Sequence, residues 1–381
     1  MNYDVAIIGG GIVGQMTAWE LQKAGCRVII LEKSKPRNRD TGSNGLTRSI
    51  RCDYIDPFYI RMAVQAEQEW QEIEKISGQK IYEQCGLINL VPDGRFSQTP
   101  SYARRAFEAL QTEGLPSKWL ERKDVPKVFQ APAAGTDPSG GLINLNAIFD
   151  FLTQQKLEII ENTEIISIDV NPSGCVVCAA SAIYNVERIV VAAGLGTAEV
   201  MRLAQGIELF SLPLVKDRPL AVRYYYPPSA RERDYTIEKL PVFACLDLGI
   251  YGHPIVPGLT PAVKIGFYKP PDCAGTSELK NISEFVDVMM PQMKDFHNVE
   301  VTDVDTGCYD MTPDNDFILG FWPNTDRIII GAGWNGTGFK FAPLLAQKLA
   351  LMAETGQGDE EITRLSPERF SQMKAQKVIN R

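Results

Sequence analysis

Three short stretches of this sequence combine residue types and spacing that can do chemistry. The first is GGGIVG, in which Gly9, Gly11 and Gly14 stand at the G-x-G-x-x-G spacing. An apolar run, DVAII, precedes it, a helical pattern, QMTAWELQKA, follows, and a second apolar run, RVIILE, ends in Glu32. Each part has its own physical role. Gly9 allows the tight turn, Gly11 a close backbone approach by a pyrophosphate, and Gly14 close packing of helix on strand. The helix start, with Ile12 and Val13, presents unpaired N–H groups and the positive end of the helix dipole. Glu32 can accept hydrogen bonds from ribose hydroxyls, which disfavours a 2′-phosphate, and Lys33 follows it as a further candidate contact. The motif predicts a bound dinucleotide without choosing between FAD and NAD. The second stretch is AVKIGF, where Lys264 interrupts an apolar strand pattern; a lysine there is costly to bury unless it is paired or functional. The third is GCYDMTPDND, which sets a thiol, Cys308, just before a Thr-Pro-Asp turn. Taken alone, Cys308 reads as a small core residue.

These stretches must be positioned by ordinary elements. RIVVAAGLG at 188–196 reads as a buried strand ending in a turn at Ala193 and Gly194 that can bring backbone close to a cofactor. YIRMAVQAEQEWQEIEK at 59–75 is an amphipathic helix pattern, and GLINLV a strand. GGLINLNAIFDFLTQQ reads as a strand entering a helix, and TEIISIDV as a strand. LAVRYYYP, LPVFACLDLGIY and AVKIGFYK read as an antiparallel sheet, a floor for a substrate site. RIIIGAGWNGTGFKFAPLLAQKLALMAE gives strand, glycine-rich turn and long helix. The expected fold is α/β: a Rossmann-like nucleotide domain of 1–88, 141–212 and 305–381, interleaved with an α+β substrate domain of 89–140 and 213–304 built on a mostly antiparallel sheet.

Composition narrows the function classes. The 381 residues carry 39 basic and 47 acidic side chains, a net charge of −8, which argues against nucleic acid and against a polybasic membrane anchor. No apolar run is long enough to span a bilayer. The start carries no basic leader pattern and the C-terminal VINR matches no peroxisomal or retention tag, so the expected location is cytoplasmic, with reduced thiols. The eight cysteines suggest no disulfide framework, and the C-x-x-C of Cys175 and Cys178 lies on a strand, where such residues point to opposite faces. With two histidines, His253 and His297, neither a histidine-rich metal site nor a Ser-His-Asp triad is expected, and no metal is assigned.

The chain resembles the monomeric sarcosine oxidase family of flavoenzymes, whose relatives include N-methyltryptophan, pipecolate, fructosyl amino acid and biosynthetic imino-acid oxidases. The resemblance rests on GGGIVG with Glu32, SNGLTRSIR at 43–51, VKIGFYK at 263–269, GCYDMTPDNDFILG at 307–320 and GAGWNGTGFKF at 331–341. It implies FAD, bonded through its 8α-methyl group to the thiol of Cys308, a role that suits a thiolate nucleophile. It implies cofactor contacts from Ser43, Thr47, Arg48, Gly333, Gly336, Gly338, Phe339 and Lys340. Arg48 matches an arginine over the flavin face, and Arg51 and Lys340 match the pair that takes the substrate carboxylate. Lys264 matches the lysine that promotes reaction with oxygen, and Tyr251 a substrate-facing tyrosine. This chain departs from the family at Asn44, Tyr268 and Thr337, where histidines are expected, and Trp334 adds bulk nearby. The resemblance thus implies retained flavin machinery and a remodelled amine pocket. The expected activity is oxidation of the C–N bond of a secondary or cyclic amino acid, with hydride passing to flavin N5 and O2 reduced to hydrogen peroxide, by a monomer. A dehydrogenase feeding a carrier and a non-catalytic flavoprotein are the alternatives.

Overall fold

The computed structural model describes residues 2–38, 41–92, 100–180, 182–216, 222–267, 281–301 and 309–371. They fall into two compact units, one from 1–44, 150–218 and 307–381, the other from 45–149 and 219–306.

The first unit is a mixed sheet with helices. Its parallel core runs Ile328–Ala332, Ile183–Val191, Asn2–Ile8, Val28–Leu31 and Ile159–Ile160. Val5–Ile8 and Ile29–Leu31 are buried, as the near-continuous apolar runs of a parallel strand require. Ile183–Val191 is long enough to serve two neighbours on the same side. Residues 183–186 pair antiparallel with Gly174–Ala179, and 189–191 pair parallel with Ile328–Ala332. Helix Ile12–Lys23 packs against helix Gly338–Thr355.

The second unit is built on an eight-stranded sheet in the order His297–Val301, Val222–Tyr226, Val263–Phe267, Ile250–His253, Val242–Cys245, Leu87–Leu90, Ala133–Asp137 and Trp119–Glu121. All its pairings are antiparallel except that of Val242–Cys245 with Leu87–Leu90. A smaller sheet joins Thr47–Ile50 and Tyr82–Gln84 to Gly141–Asn144. Helix Pro57–Ser77 starts on Asp56, whose side chain accepts from Phe58 N, and ends on Gly78 at φ 65°. The α/β fold with a mostly antiparallel second unit is as expected. The division differs at 45–88, 141–149 and 305–306, which were expected with the nucleotide domain, and at 213–218, which were expected with the substrate domain. Strand pairing is the reason: Thr47–Ile50, Tyr82–Gln84 and Leu87–Leu90 all find their partners in the second unit. Among the described residues no helix is long and apolar enough to cross a membrane, and the described cysteines are free thiols.

One largely buried polar cluster lies in the second unit. Ser139 Oγ lies 3.0 Å from Glu67 Oε1 and 2.7 Å from Asp137 Oδ1. A hydroxyl has one proton to donate, so the second contact needs a protonated carboxyl. Burial, then the neighbouring Asp53 charge, pushes Asp137 up, and this is only partly offset by the bonds it accepts from Cys52 N at 2.6 Å and Ser139 N at 3.1 Å. Glu67 has no backbone donor of this kind, and burial, then the Asp137 charge, pushes it up to about 7. An acid raised on folding costs stability above its unfolded value: nothing below about pH 4.5, growing to about 3 kcal/mol once pH passes the folded value. Glu67→Gln keeps the shape without the proton requirement. The variant should therefore raise Tm by several degrees at pH 8 and leave it unchanged at pH 4.5, read by thermal denaturation across that range.

Candidate active site

In the first unit the glycine loop is fitted to its surroundings atom by atom. Gly9 sits at φ +112°, and a Cβ there would lie 2.5 Å from Ala192 O; one on Gly14 would lie 2.0 Å from Gly9 O. Neither position has room for a side chain, so the backbone stays open. Gly11 caps helix Ile12–Lys23 without a side chain, and Ser43 Oγ accepts from Ile12 N at 2.9 Å. Glu32, at the end of its strand and 9% exposed, accepts from Gly10 N at 2.6 Å through Oε2 and from Ser34 N at 2.9 Å through Oε1. Gln15, which the motif did not mark, donates its amide to Gly10 O at 2.8 Å. Lys33 points away, exposed and paired with Glu164 at 2.9 Å. Ile12 and Val13 are buried, while Ala193 and Gly194 are half-buried at the strand end, Gly194 at φ +53°. A helix start whose N-cap is a bare glycine, an open glycine backbone and an acid at the second strand end fit a dinucleotide.

The segment after Cys308 is stitched to the glycine turn of the same unit. Asp310 Oδ2 accepts from Gly333 N at 2.8 Å, and Asn335 N donates to Asp310 O at 3.1 Å. Asn335 Oδ1 accepts from Thr312 N at 2.9 Å while its amide donates to Asn315 O at 2.9 Å. Burial pushes Asp310 up to about 6 in spite of its backbone donors. Asp310, Thr312 and Asn335 were not singled out in the sequence, although they lie within the quoted segments. Gly333 and Gly336 take φ +67° and +69°, and Gly338 and Phe339 open the long helix with Lys340 two residues in. Thr337 donates to Trp334 O. Trp334 packs edge-on to Phe317 with centroids 5.6 Å apart, and a Cβ on Gly338 would meet it at 2.5 Å. These are packing contacts within the first unit, and Trp334 is half-buried. Cys308 and Tyr268 lie outside the described residues.

The second unit holds three of the four candidate cations, Arg48, Arg51 and Lys264. Lys264 is buried on strand Val263–Phe267, opposite His253, and its Nζ is 5.9 Å from the centroid of the Tyr251 ring. Tyr251 lies across Gly266, where a Cβ would be 2.5 Å from its Cζ. Burial, then the charge of Arg48, holds the Lys264 ammonium well below the usual lysine range. Arg48 Nη1 donates to Thr47 O at 2.9 Å, and Thr47 Oγ1 is 2.9 Å from His253 Nδ1. Thr47, Arg48, Tyr251 and Lys264 are thus brought together, with His253 as a member the sequence did not nominate. Arg51 lies with its guanidinium carbon 4.3 Å from the centre of the Tyr54 ring and its Nη1 2.7 Å from Asp53 Oδ1. Asn44, in the first unit, is half-buried, its N donating to Thr41 O at 3.2 Å.

A fold of this kind, with a dinucleotide cradle in one unit and a sheet carrying buried cations in the other, defines a nucleotide-dependent redox protein. Residues 4–352 match the DAO family of FAD dependent oxidoreductases, and the chain belongs to that family. It is 28% identical over 371 residues, 91% of each chain, to the peroxisomal sarcosine oxidase of Homo sapiens. It is 24% identical to the N-methyl-L-tryptophan oxidase of Yersinia pestis (strain Pestoides F), covering 97% of this chain and all of that one. The structure of L-proline dehydrogenase from P. horikoshii superposes with a TM-score of 0.76 at 20% identity, covering 98% of this chain and 99% of that one, and shares its fold. The cofactor class is therefore FAD. Gly9→Ala should yield protein that retains little flavin, because the new methyl must displace the Ala192 carbonyl at a cost of about 1–3 kcal/mol or more. The ratio of flavin to protein absorbance after gel filtration checks this.

Proposed function

We propose that the protein is an amine oxidase acting on a secondary or cyclic amino acid, with oxygen as electron acceptor and hydrogen peroxide as product. The observation that carries this reading is Lys264, a lysine buried in an otherwise apolar strand with its ammonium destabilised by burial and by Arg48. When bound, FAD supplies the two-electron acceptor for the C–H beside the substrate nitrogen and hands those electrons to oxygen. Arg51 and Lys340 are the cations assigned to the substrate carboxylate, and Tyr251 faces the substrate. Arg48 sets the positive field around the cofactor. The substrate amine must arrive neutral to give up hydride, and no side-chain base is required for that. Two relatives are named for sarcosine and N-methyl-L-tryptophan, both N-methyl amino acids, which supports a secondary amine. The absence of the expected histidines at Asn44, Tyr268 and Thr337 favours a different amine, and a cyclic imino acid is our first choice. Cys308 is the proposed point of covalent attachment to the flavin, and the working form is a cytoplasmic monomer.

Lys264, once protonated, stabilises the negative charge that develops on oxygen. Lys264→Met should slow reoxidation by about a hundredfold or more while changing flavin reduction little. Stopped-flow traces of the two half-reactions decide it, and equal effects on both would remove the role. Since the depressed pKa belongs to a cation, the oxygen step should be fast at low pH and slow as pH rises through it, a dependence that the methionine variant lacks. Acid precipitation should leave the yellow colour in the pellet, with flavin mass on the Cys308 peptide; in Cys308→Ser it should pass to the supernatant. Steady-state peroxide formation separates the oxidase from a dehydrogenase that passes electrons to a carrier.

A further inference from the structure

Arg51 does not stand alone in the second unit. It is 4% exposed, and Asp53 beside it is 2% exposed. Its Nη1 donates to Asp53 Oδ1 at 2.7 Å and to Asp53 O at 2.8 Å. The other carboxylate oxygen, Oδ2, accepts from Asn89 Nδ2 at 2.8 Å, and Asn89 is itself buried on strand Leu87–Leu90. Asp53 is therefore tied to Arg51 on one side and to the sheet on the other. Moving it away breaks both contacts and leaves a buried charge uncompensated, which is strongly unfavourable.

We propose that Asp53 is a specificity-determining residue, the resident counter-ion of Arg51 that sets how strongly a substrate carboxylate is held. The inference rests on Arg51 as a carboxylate-binding cation. A guanidinium with a fixed internal carboxylate attracts a second one less than a bare guanidinium does, because the two anions repel in a medium of low dielectric. A neutral group of the same shape, such as a primary amide, feels little of this. The site thus accepts amino-acid derivatives without a free carboxylate better than an unpaired arginine would, and its demand for a carboxylate is tuned through residue 53.

The test uses the holoenzyme and two probes that carry no amine to oxidise, cyclohexanecarboxylate and cyclohexanecarboxamide, with binding read by calorimetric titration. Asp53→Asn removes the charge and keeps the shape, and Asn89 can turn its amide to keep the hydrogen bond. It should tighten the carboxylate by about tenfold or more and leave the amide within about twofold. Asp53→Glu, which restores the charge, should return towards wild type, which a merely structural role for the site would not give. In an Arg51→Gln background the change at 53 should have no such effect. If Arg51→Gln weakens the carboxylate but Asp53→Asn leaves its preference over the amide unchanged or lower, the role of Asp53 is overturned. If Arg51→Gln leaves carboxylate binding unaltered, the reading of Arg51 fails first and this inference with it. Should Asp53→Asn not fold, the wild-type protein decides: a carboxylate preference under about tenfold is expected, and a larger one overturns the proposal.

Discussion

Strand Ile183–Val191 is the constraint on which the first unit depends. One edge of it pairs with Asn2–Ile8, which feeds the glycine loop. On its other edge the first half is taken by Gly174–Ala179 and the second half by Ile328–Ala332, which feeds the second glycine turn. The two glycine-rich turns therefore leave the sheet from strands that flank a common neighbour, though more than three hundred residues separate them in the chain. Parallel pairing leaves little freedom of register here, because the paired segments are buried. The turns inherit that fixity, and Gly9 meets the end of the same strand at Ala192.

The second unit solves a different problem, which is to hold charges in a sheet without flooding it with water. Arg51 is matched by a carboxylate, which keeps the pair near neutral. Lys264 is treated in the opposite way: burial first, and then the charge of another cation, Arg48, leave its proton loosely held. Two cations of one unit are thus given different chemical characters by their burial and their neighbours. A lysine whose proton is loosely held and an arginine locked beside a carboxylate are different tools, and a sequence shows only that both are basic.

What could be read from the sequence was what is local. The G-x-G-x-x-G spacing, the helix behind it and the acid at the next strand end all lie within the first thirty-two residues, and each is written in residue type. Lys264 was visible because it breaks an apolar run. The antiparallel strands that surround it were legible from their composition. Asp53 was invisible as a partner of Arg51 because what fixes it, Asn89, comes from a strand thirty-six residues on. The unit boundary differs from the expected one for the same reason: which unit 45–88 packs with depends on strand pairs formed with 133–144 and 242–245. The contacts of Trp334 with Phe317 and Gly338 were likewise not legible, because residue type alone does not say what an indole packs against.

The polar cluster around Ser139 has a consequence for heat as well as for stability. Its Glu67 holds a proton that the unfolded chain surrenders, and Asp310 in the other unit behaves the same way. Between about pH 5 and 7, opening the protein therefore expels protons into the solution. The heat absorbed in a calorimeter then contains the ionisation heat of whatever buffer receives them. Two buffers at one pH give two apparent enthalpies for the same transition, and their difference counts the protons that folding had locked away.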